Sequence, residues 1–506
     1  SRKIWGYAAE RAPSTHPVAG APAPDADTAL QNFDGISYAK GAAVLRQLIA
    51  HIGDEPFVAG IAAYLSEHAY GNAGLADFLA AMERASGADL GAWAKAWLST
   101  AGLDTVEAAV EADGRTVTGV RISRTPPQDR PADRPHTLDL AGWTDGQQVL
   151  RVSATVDAAQ VTVPAPGAGL PRVLVPNATD LTWARVRLDE GTLAALPEQL
   201  AGIGDAGTRA VVWVALVDAL ALTEVDPRHF LRIFAAAWPA EDNPSLLGRI
   251  GQFMLGRVLG EYLPDDEVAP SRSTVATAAQ ARLETAGPGS TQALAAARVL
   301  VGSTDDGPLL ADWSNGRGLP PELAGDADFR WAVLRARAVL GEVTAAEIEG
   351  VRAEDPSLQG RLGALTARAA LPDAASKAWA WAELTGSSER SDGERSNPEP
   401  SNYVMNALAT GFWSGRGTDV VRPYVARFHA DVPELSSRVG QDALARVATL
   451  AYPRTVVEPA TDAATTARLA RDDLSPAVRR ALVDQQSVLR EVLASRSTFA
   501  GRPVGR

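Results

Sequence analysis

Between residues 36 and 100, apolar positions recur at helical spacing. Leu45, Leu48, Ile49 and Ile52 fall at i, i+3, i+4 and i+7, one stripe of an amphipathic helix. A second helix is expected from Asp54, with Pro56 in its first turn, where a missing N–H is harmless. Phe57, Ile61, Tyr64, Leu65 and His68 would form its buried face. A third carries Phe78, Leu79 and Met82 and ends near Gly87. Asp89 caps a fourth, with Leu90, Trp93, Ala94 and Trp97 on one side. Tyr38 stands seven residues before Leu45, nearly two turns, so both share a face. On pattern alone, Tyr38 reads as a core tyrosine whose hydroxyl a neighbour satisfies, with Lys40 pointing roughly the opposite way.

After Gly102 the period changes. Asp113-Gly114 separates two short strand-like runs, and Asp145-Gly146 does the same between "HTLDLAGW" and "QQVLRVSATV". "TPPQDRPADRP" (125–135) is a charged, proline-broken loop, and "RVLVP" and "LTWARVRLD" read as two further strands. Residues 103–188 thus predict a small β-sandwich. From Asp189 on, alanine-rich helical segments succeed one another between Pro, Gly, Asp and Ser, the pattern of stacked helix pairs. "GSSERSDGERSNPEPSN" (386–402) is expected to be a mobile polar loop.

At 506 residues the chain is too long for one core, and about 150 residues per domain suggests about three. The net charge of −13 argues against nucleic acid as the main partner. With no cysteine, neither a disulfide framework nor a thiolate metal site is possible, and a cytoplasmic location fits best. The longest apolar stretch, Ala210 to Leu222, is interrupted by Asp218 and is too short to span a bilayer, so no membrane partner is expected. The chain opens on Ser1, and Ile4-Trp5-Gly6-Tyr7 reads like the middle of a domain; the natural protein is expected to begin upstream.

Few motifs carry chemistry. Gly202, Gly204 and Gly207 match GxGxxG, but a helix-like run precedes them where a dinucleotide site needs a strand. Ser37 and Lys40 match SxxK without a KTG partner. The six histidines, His16, His51, His68, His136, His229 and His429, include no pair spaced for one helical face, and there is no HExxH. They read as surface or satisfied core histidines, although His51 and His68 could approach in space.

One succession is specific. "STHPV", "NFDGISYAKGAAVLRQL", "GDEPFVAGIAAYLSEHAYGNAGLADFLAAMERASG" and "WAKAWLSTAG" resemble, in order, the stretch C-terminal to the zinc site in the aminopeptidase N family. "VLVPNATDLTWARVRLDEGTL" and "FWSGRGTDVVRPYVARF" are similar to its later parts, so the resemblance covers essentially the whole chain. It implies a mainly α fold with a small β-sandwich. Residues 1–102 would be the C-terminal helices of a thermolysin-like catalytic domain, 103–188 the β-sandwich, and 189–506 a superhelical, HEAT-like domain. It implies peptide substrates, zinc as cofactor of the full-length enzyme, and zinc-assisted hydrolysis with a glutamate as general base. The HExxH helix, the later glutamate ligand and the GxMEN-type segment are absent from these residues and would belong to a missing N-terminal half. This chain would then hold no metal and be inactive alone. The tyrosine of the ISYxKGA stretch is catalytic in that family, which implies that Tyr38 donates a hydrogen bond to the oxyanion of the tetrahedral intermediate. Lys40 is given no catalytic role, Gly41 is expected to permit close helix packing, and Trp93 and Trp97 to be buried. The rival expectation is a non-catalytic helical scaffold or peptide-binding module derived from that family.

Overall fold

The computed structural model describes residues 2–20, 29, 33–114, 116–319, 321–386, 401–437 and 439–502. The loop expected over 386–402 falls almost entirely outside them. The chain is mainly helical with one β-sandwich, as expected. It divides into two compact units, one reaching Ala219 and the other running from Leu220 to Gly505. No helix among the described residues is long and apolar enough to cross a membrane.

The first unit opens with α1 (Lys3–Arg11), followed by a π-helical turn, Ile36–Lys40, that runs directly into α2 (Gly41–Ile52). Then come α3 (Asp54–Glu67), α4 (Leu75–Ser86) and α5 (Gly91–Leu98). α4 stops at Gly87, which takes the left-handed conformation (φ +70°) open to glycine. Trp93 and Trp97 are buried, as expected, and Trp97 meets His136 edge-on at 5.0 Å. Of the face of α3 expected to be buried, Phe57 and Ile61 are half-buried against the core of this unit, Tyr64 and His68 are half-buried, and Leu65 is 62% exposed. Only Gly60 is buried, where an added Cβ would stand 2.8 Å from Met82 Sδ.

The sandwich begins with β1 (Thr105–Asp113) and β2 (Thr116–Thr125), then β3 (His136–Thr144) and β4 (Gln147–Val156). β5 (Gln160–Pro164), β6 (Val173–Val175) and β7 (Arg185–Val186) complete it. One sheet has the order β5-β2-β1-β7 and the other β4-β3-β6. Both Asp-Gly pairs make hairpins; Asp145 and Gly146 take φ +49° and +79°, the two positive values of a type I′ turn. Val106, Val120 and Ile122 face Leu138, Leu140 and Val156 across the core. The "RVLVP" run yields a three-residue strand and "LTWARVRLD" only two strand residues, parallel to β1. The backbone of the second run is diverted: Tyr7 Oη donates to Ala184 O (2.5 Å) and Lys3 Nζ to Thr182 O (2.7 Å), tying α1 to it. Helices α6 (Glu190–Gln199) and most of α7 (Ala206–Ala221) come next.

The second unit is helical from Pro227–Ala237 to Pro476–Phe499. Neighbours pair: Asp265–Thr285 with Thr291–Ser303, Ala327–Val339 with Leu358–Ala370, and Leu358–Ala370 with Asn402–Phe412. The helix that begins at Pro244 changes at Met254 into a π-helix, Met254–Tyr262.

Candidate active site

The buried stripe through the π-helical turn and α2 is Ile36, Ala39, Lys40, Ala43, Val44, Gln47 and Leu48. This is a regular i, i+3, i+4 series that contains a lysine and a glutamine. Tyr38 and Leu45 do share a face, but it is the open one: they are 46% and 44% exposed, while Lys40 is completely buried. The reading of Tyr38 as a core residue is thereby reversed. The reason is that Lys40 and Gln47 find full hydrogen-bond complements inside, so polarity did not put them on the surface.

Lys40 Nζ lies 2.8 Å from Glu10 Oε1 and donates to Thr100 O at 3.0 Å. Glu10 is itself saturated: Trp183 Nε1 donates to Oε1 (3.1 Å), and Gly102 N and Thr15 Oγ1 donate to Oε2 (2.7 and 3.3 Å). Burial lowers the Lys40 pKa, opposed by the charge and hydrogen bond of Glu10. Lys40 is thus held as a buried ion by Glu10 and Thr100 O. Gln47 pairs with β3 like an added strand residue, Nε2 donating to Thr137 O (2.8 Å) and Oε1 accepting from Thr137 N (2.9 Å).

A second charged cluster continues from Thr100, which accepts at Oγ1 from Arg134 Nη2 (2.6 Å). Arg134 also ion-pairs with the fully buried Asp104, whose other oxygen accepts from His136 Nε2 (3.0 Å). Burial pushes the Asp104 pKa up, but the hydrogen bond from His136 and the charges of His136, Arg134 and Arg124 take it below the ordinary value. Burial lowers the pKa of His136, opposed by the hydrogen bond and charge of Asp104. Sequence reasoning missed Glu10, Asp104 and Arg134. The one signal was a lysine inside an apolar stripe, which demands an acidic partner elsewhere.

The turn is fixed on its other side by glycine. A Cβ on Gly35 would stand 2.5 Å from Gly6 Cα, so α1 and the turn touch backbone to backbone. Gly41, expected to serve close packing, has nothing nearer than Val18 Cγ1 at 3.9 Å, so the requirement belongs to Gly35 and Gly6. Asp34 Oδ1 caps the turn by accepting from Ile36 N (2.8 Å) and Ser37 N (3.2 Å). On this base the Tyr38 ring lies between Trp5 (centroids 6.4 Å apart, planes at 23°) and Phe33 (6.0 Å, 57°). Its hydroxyl has no hydrogen-bond partner among the described residues. The arrangement presents a neutral O–H donor on a rigid arm.

The histidines are not brought together. His16 turns Nδ1 to Pro17 O (2.8 Å), His51 stacks on Trp93, His68 packs on Tyr64, and His136 belongs to the Asp104 cluster. His229 lies beside Arg232, and His429 Nε2 is 3.3 Å from Thr465 Oγ1. Among the described residues no group of three His, Cys, Asp or Glu side chains could hold a metal ion. A zinc ion therefore does not fit these residues. Gly202, Gly204 and Gly207 come after the helix Glu190–Gln199, so the dinucleotide reading lacks its strand.

Two family models match the chain: the ERAP1-like C-terminal domain over residues 173–491 and the peptidase family M1 domain over residues 6–97. Aminopeptidase N of Streptomyces lividans is 31% identical over 514 residues, covering 98% of this chain and 59% of that protein. The tricorn protease-interacting factor F2 of Thermoplasma volcanium is 40% identical over 104 residues, 21% of this chain and 13% of the relative. The structure of Legionella pneumophila aminopeptidase A in complex with aspartic acid superposes with a TM-score of 0.61 at 13% identity, over 90% of this chain and 57% of that one. The chain thus spans about three fifths of the length of the relative it matches throughout.

Proposed function

Because this chain belongs to the M1 family of aminopeptidases, we propose that it is part of an enzyme that hydrolyses N-terminal residues from peptides. It would work with a zinc-binding segment that is not among these 506 residues, and Tyr38 is the group it contributes to the chemistry. Residues 1–102 serve as the C-terminal part of the catalytic domain, 103–188 as a β-sandwich, and 189–506 as the helical domain. The observation that carries the reading is the presentation of Tyr38. Tyr38 is 46% exposed and its hydroxyl is unpartnered among the described residues, on a turn anchored by Lys40–Glu10 and by the Gly6–Gly35 contact.

Attack of water on a peptide carbonyl turns a weakly polar oxygen into an oxyanion. A donor aimed at that oxygen strengthens its bond as the charge develops, so it favours the transition state over the bound substrate. Tyrosine suits the task because the phenol donates while remaining neutral, and the ring fixes the distance. One such donor contributes roughly two to three orders of magnitude in rate. Trp5 and Phe33 restrict the ring, and Lys40–Glu10 fixes the backbone that carries it.

The test is hydrolysis of an amino-acid anilide. The chain alone should give no turnover and retain no stoichiometric zinc after dialysis. Adding the zinc-binding segment of the family should bring turnover that a chelator abolishes and zinc restores. Turnover by the chain alone, or a zinc-loaded complex with none, would count against the proposal.

A further inference from the structure

A cavity of about 380 Å3 lies inside the second unit. Its walls come from the π-helix Met254–Tyr262, the helix Ala327–Val339 and the loop after the helix Asn402–Phe412. π-Helical turns are rare and are found often at functional sites. Here the turn brings Gly256 to the wall, where an added Cβ would meet nothing within 4 Å.

Charge is the distinctive feature. Arg272, Arg335, Arg416 and Arg454 line the cavity together with one carboxylate, Glu261. Glu261 is already engaged by Arg257 and by Arg454 (2.9 Å). Arg416 uses Nη2 on Asp305 (2.8 Å) and Thr304 O (2.7 Å), but its Nε and Nη1 are buried without a partner among the described residues. Arg272 makes a single bond to Gly302 O (3.2 Å). Arg335 has no hydrogen bond or ion pair among the described residues. Thr455 Oγ1, also on the wall, is buried and unsatisfied. Burial, followed by the charge of Arg416, brings the Arg272 pKa down to about 10, and burial alone lowers that of Arg335. Unsatisfied buried donors such as Arg416 Nε and Nη1 need an explanation, and the half-buried guanidinium groups of Arg272 and Arg335, with no ion-paired carboxylate among the described residues, favour a counter-charge beside them. An anion in the cavity supplies both.

We propose that this cavity binds a small oxyanion, a phosphate or a carboxylate, held by Arg272, Arg335 and Arg416 with Thr455 Oγ1 as a further donor. Guanidinium forks match both groups in bidentate fashion. The volume is about thirteen times the roughly 30 Å3 that a water occupies, which leaves room for an organic body carrying the anion. The proposal is independent of the hydrolytic reading.

The experiment is isothermal titration of the full chain with inorganic phosphate and, separately, with succinate, against chloride at matched ionic strength. Saturable binding of one equivalent is expected for at least one of them. Tighter phosphate binding supports the site with a phosphorylated ligand, and tighter succinate binding supports it with a carboxylate ligand. Arg335→Met should weaken binding at least about tenfold, since charge-assisted hydrogen bonds are lost. It should leave the melting temperature of the free chain unchanged or higher, because no internal partner is lost. Should that variant lack the parent's circular dichroism, Arg335→Lys, which keeps the charge and loses the fork, should still weaken binding. No binding of either anion beyond chloride, or parental affinity in a folded Arg335 variant, would overturn the proposal.

Discussion

Lys40 Nζ and Glu10 Oε1 meet at 2.8 Å with both side chains out of water, and two residues before Lys40 the ring of Tyr38 stands in solvent. The pair joins the turn that carries Tyr38 to α1, and Gly102 N and Thr100 O bring the approach to the sandwich into the same set of bonds. The position of the hydroxyl is therefore set by a buried ion pair that fixes the backbone, together with the contacts of the ring with Trp5 and Phe33.

Removing one partner of such a pair leaves an unmatched charge inside. Glu10→Gln is expected to destabilise the first unit by about 3–5 kcal/mol. The double variant Glu10→Gln with Lys40→Met should recover part of that loss, because neither charge then remains. Urea unfolding of both variants checks this; equal losses in the two would mean the pair is not coupled.

Gly35→Ala forces a methyl against Gly6 Cα at 2.5 Å, where backbone must shift. A loss of about 1–3 kcal/mol is expected. Gly41→Ala, at the start of α2 with open space around it, should be neutral or slightly stabilising. Thermal melts of the two variants separate them, and a Gly41 variant as damaged as the Gly35 variant would contradict the packing described.

The helices of the first unit and the two Asp-Gly hairpins were legible because apolar spacing and turn chemistry are local signals. The inward face of α2 was not, because Lys40 and Gln47 are polar and are buried only where Glu10 and the edge of β3 complete them. Those partners lie 30 and 90 positions away in sequence, beyond any periodic pattern. Likewise Arg134, in a segment read as a charged loop, is buried against Asp104. Gly35 and Gly6 show why the glycine inside the motif, Gly41, drew attention wrongly: close approach depends on what crosses, which spacing does not reveal. The π-helical turns at Ile36–Lys40 and Met254–Tyr262 also left no mark in an i, i+3, i+4 count.

His429 adds a pH dependence. Burial, then the charge of Arg468, lowers its pKa from the ordinary 6.5 to about 4. Between these values the unfolded chain binds a proton that the folded chain does not. Its contribution to stability is thus complete above pH 6.5 and is lost as pH falls toward about 4, on the order of 2–3 kcal/mol. His429→Gln should flatten that part of the stability profile relative to the parent. Parallel profiles for the two proteins would mean that His429 titrates normally.

Val58 and Leu65 on α3, and Tyr70 and Leu75 just after it, are apolar side chains exposed to solvent. An environment-sensitive apolar dye should bind the chain, and Val58→Lys with Leu65→Lys should reduce its emission without lowering the melting temperature. Hydrogen exchange should be faster over residues 1–102 than over 189–506. Equal protection of the two regions would oppose this view of the first hundred residues.

The role of Tyr38 is tested most directly by Tyr38→Phe in a polypeptide or complemented complex that carries the zinc-binding segment and turns over an amino-acid anilide. The ring and its contacts with Trp5 and Phe33 stay, and only the hydroxyl goes. If Tyr38 stabilises the oxyanion, kcat falls by roughly two to three orders of magnitude at matched zinc occupancy. KM moves little, because the charge exists only in the transition state. A kcat within about threefold of the parent, less than about 1 kcal/mol of transition-state stabilisation, would contradict the catalytic role.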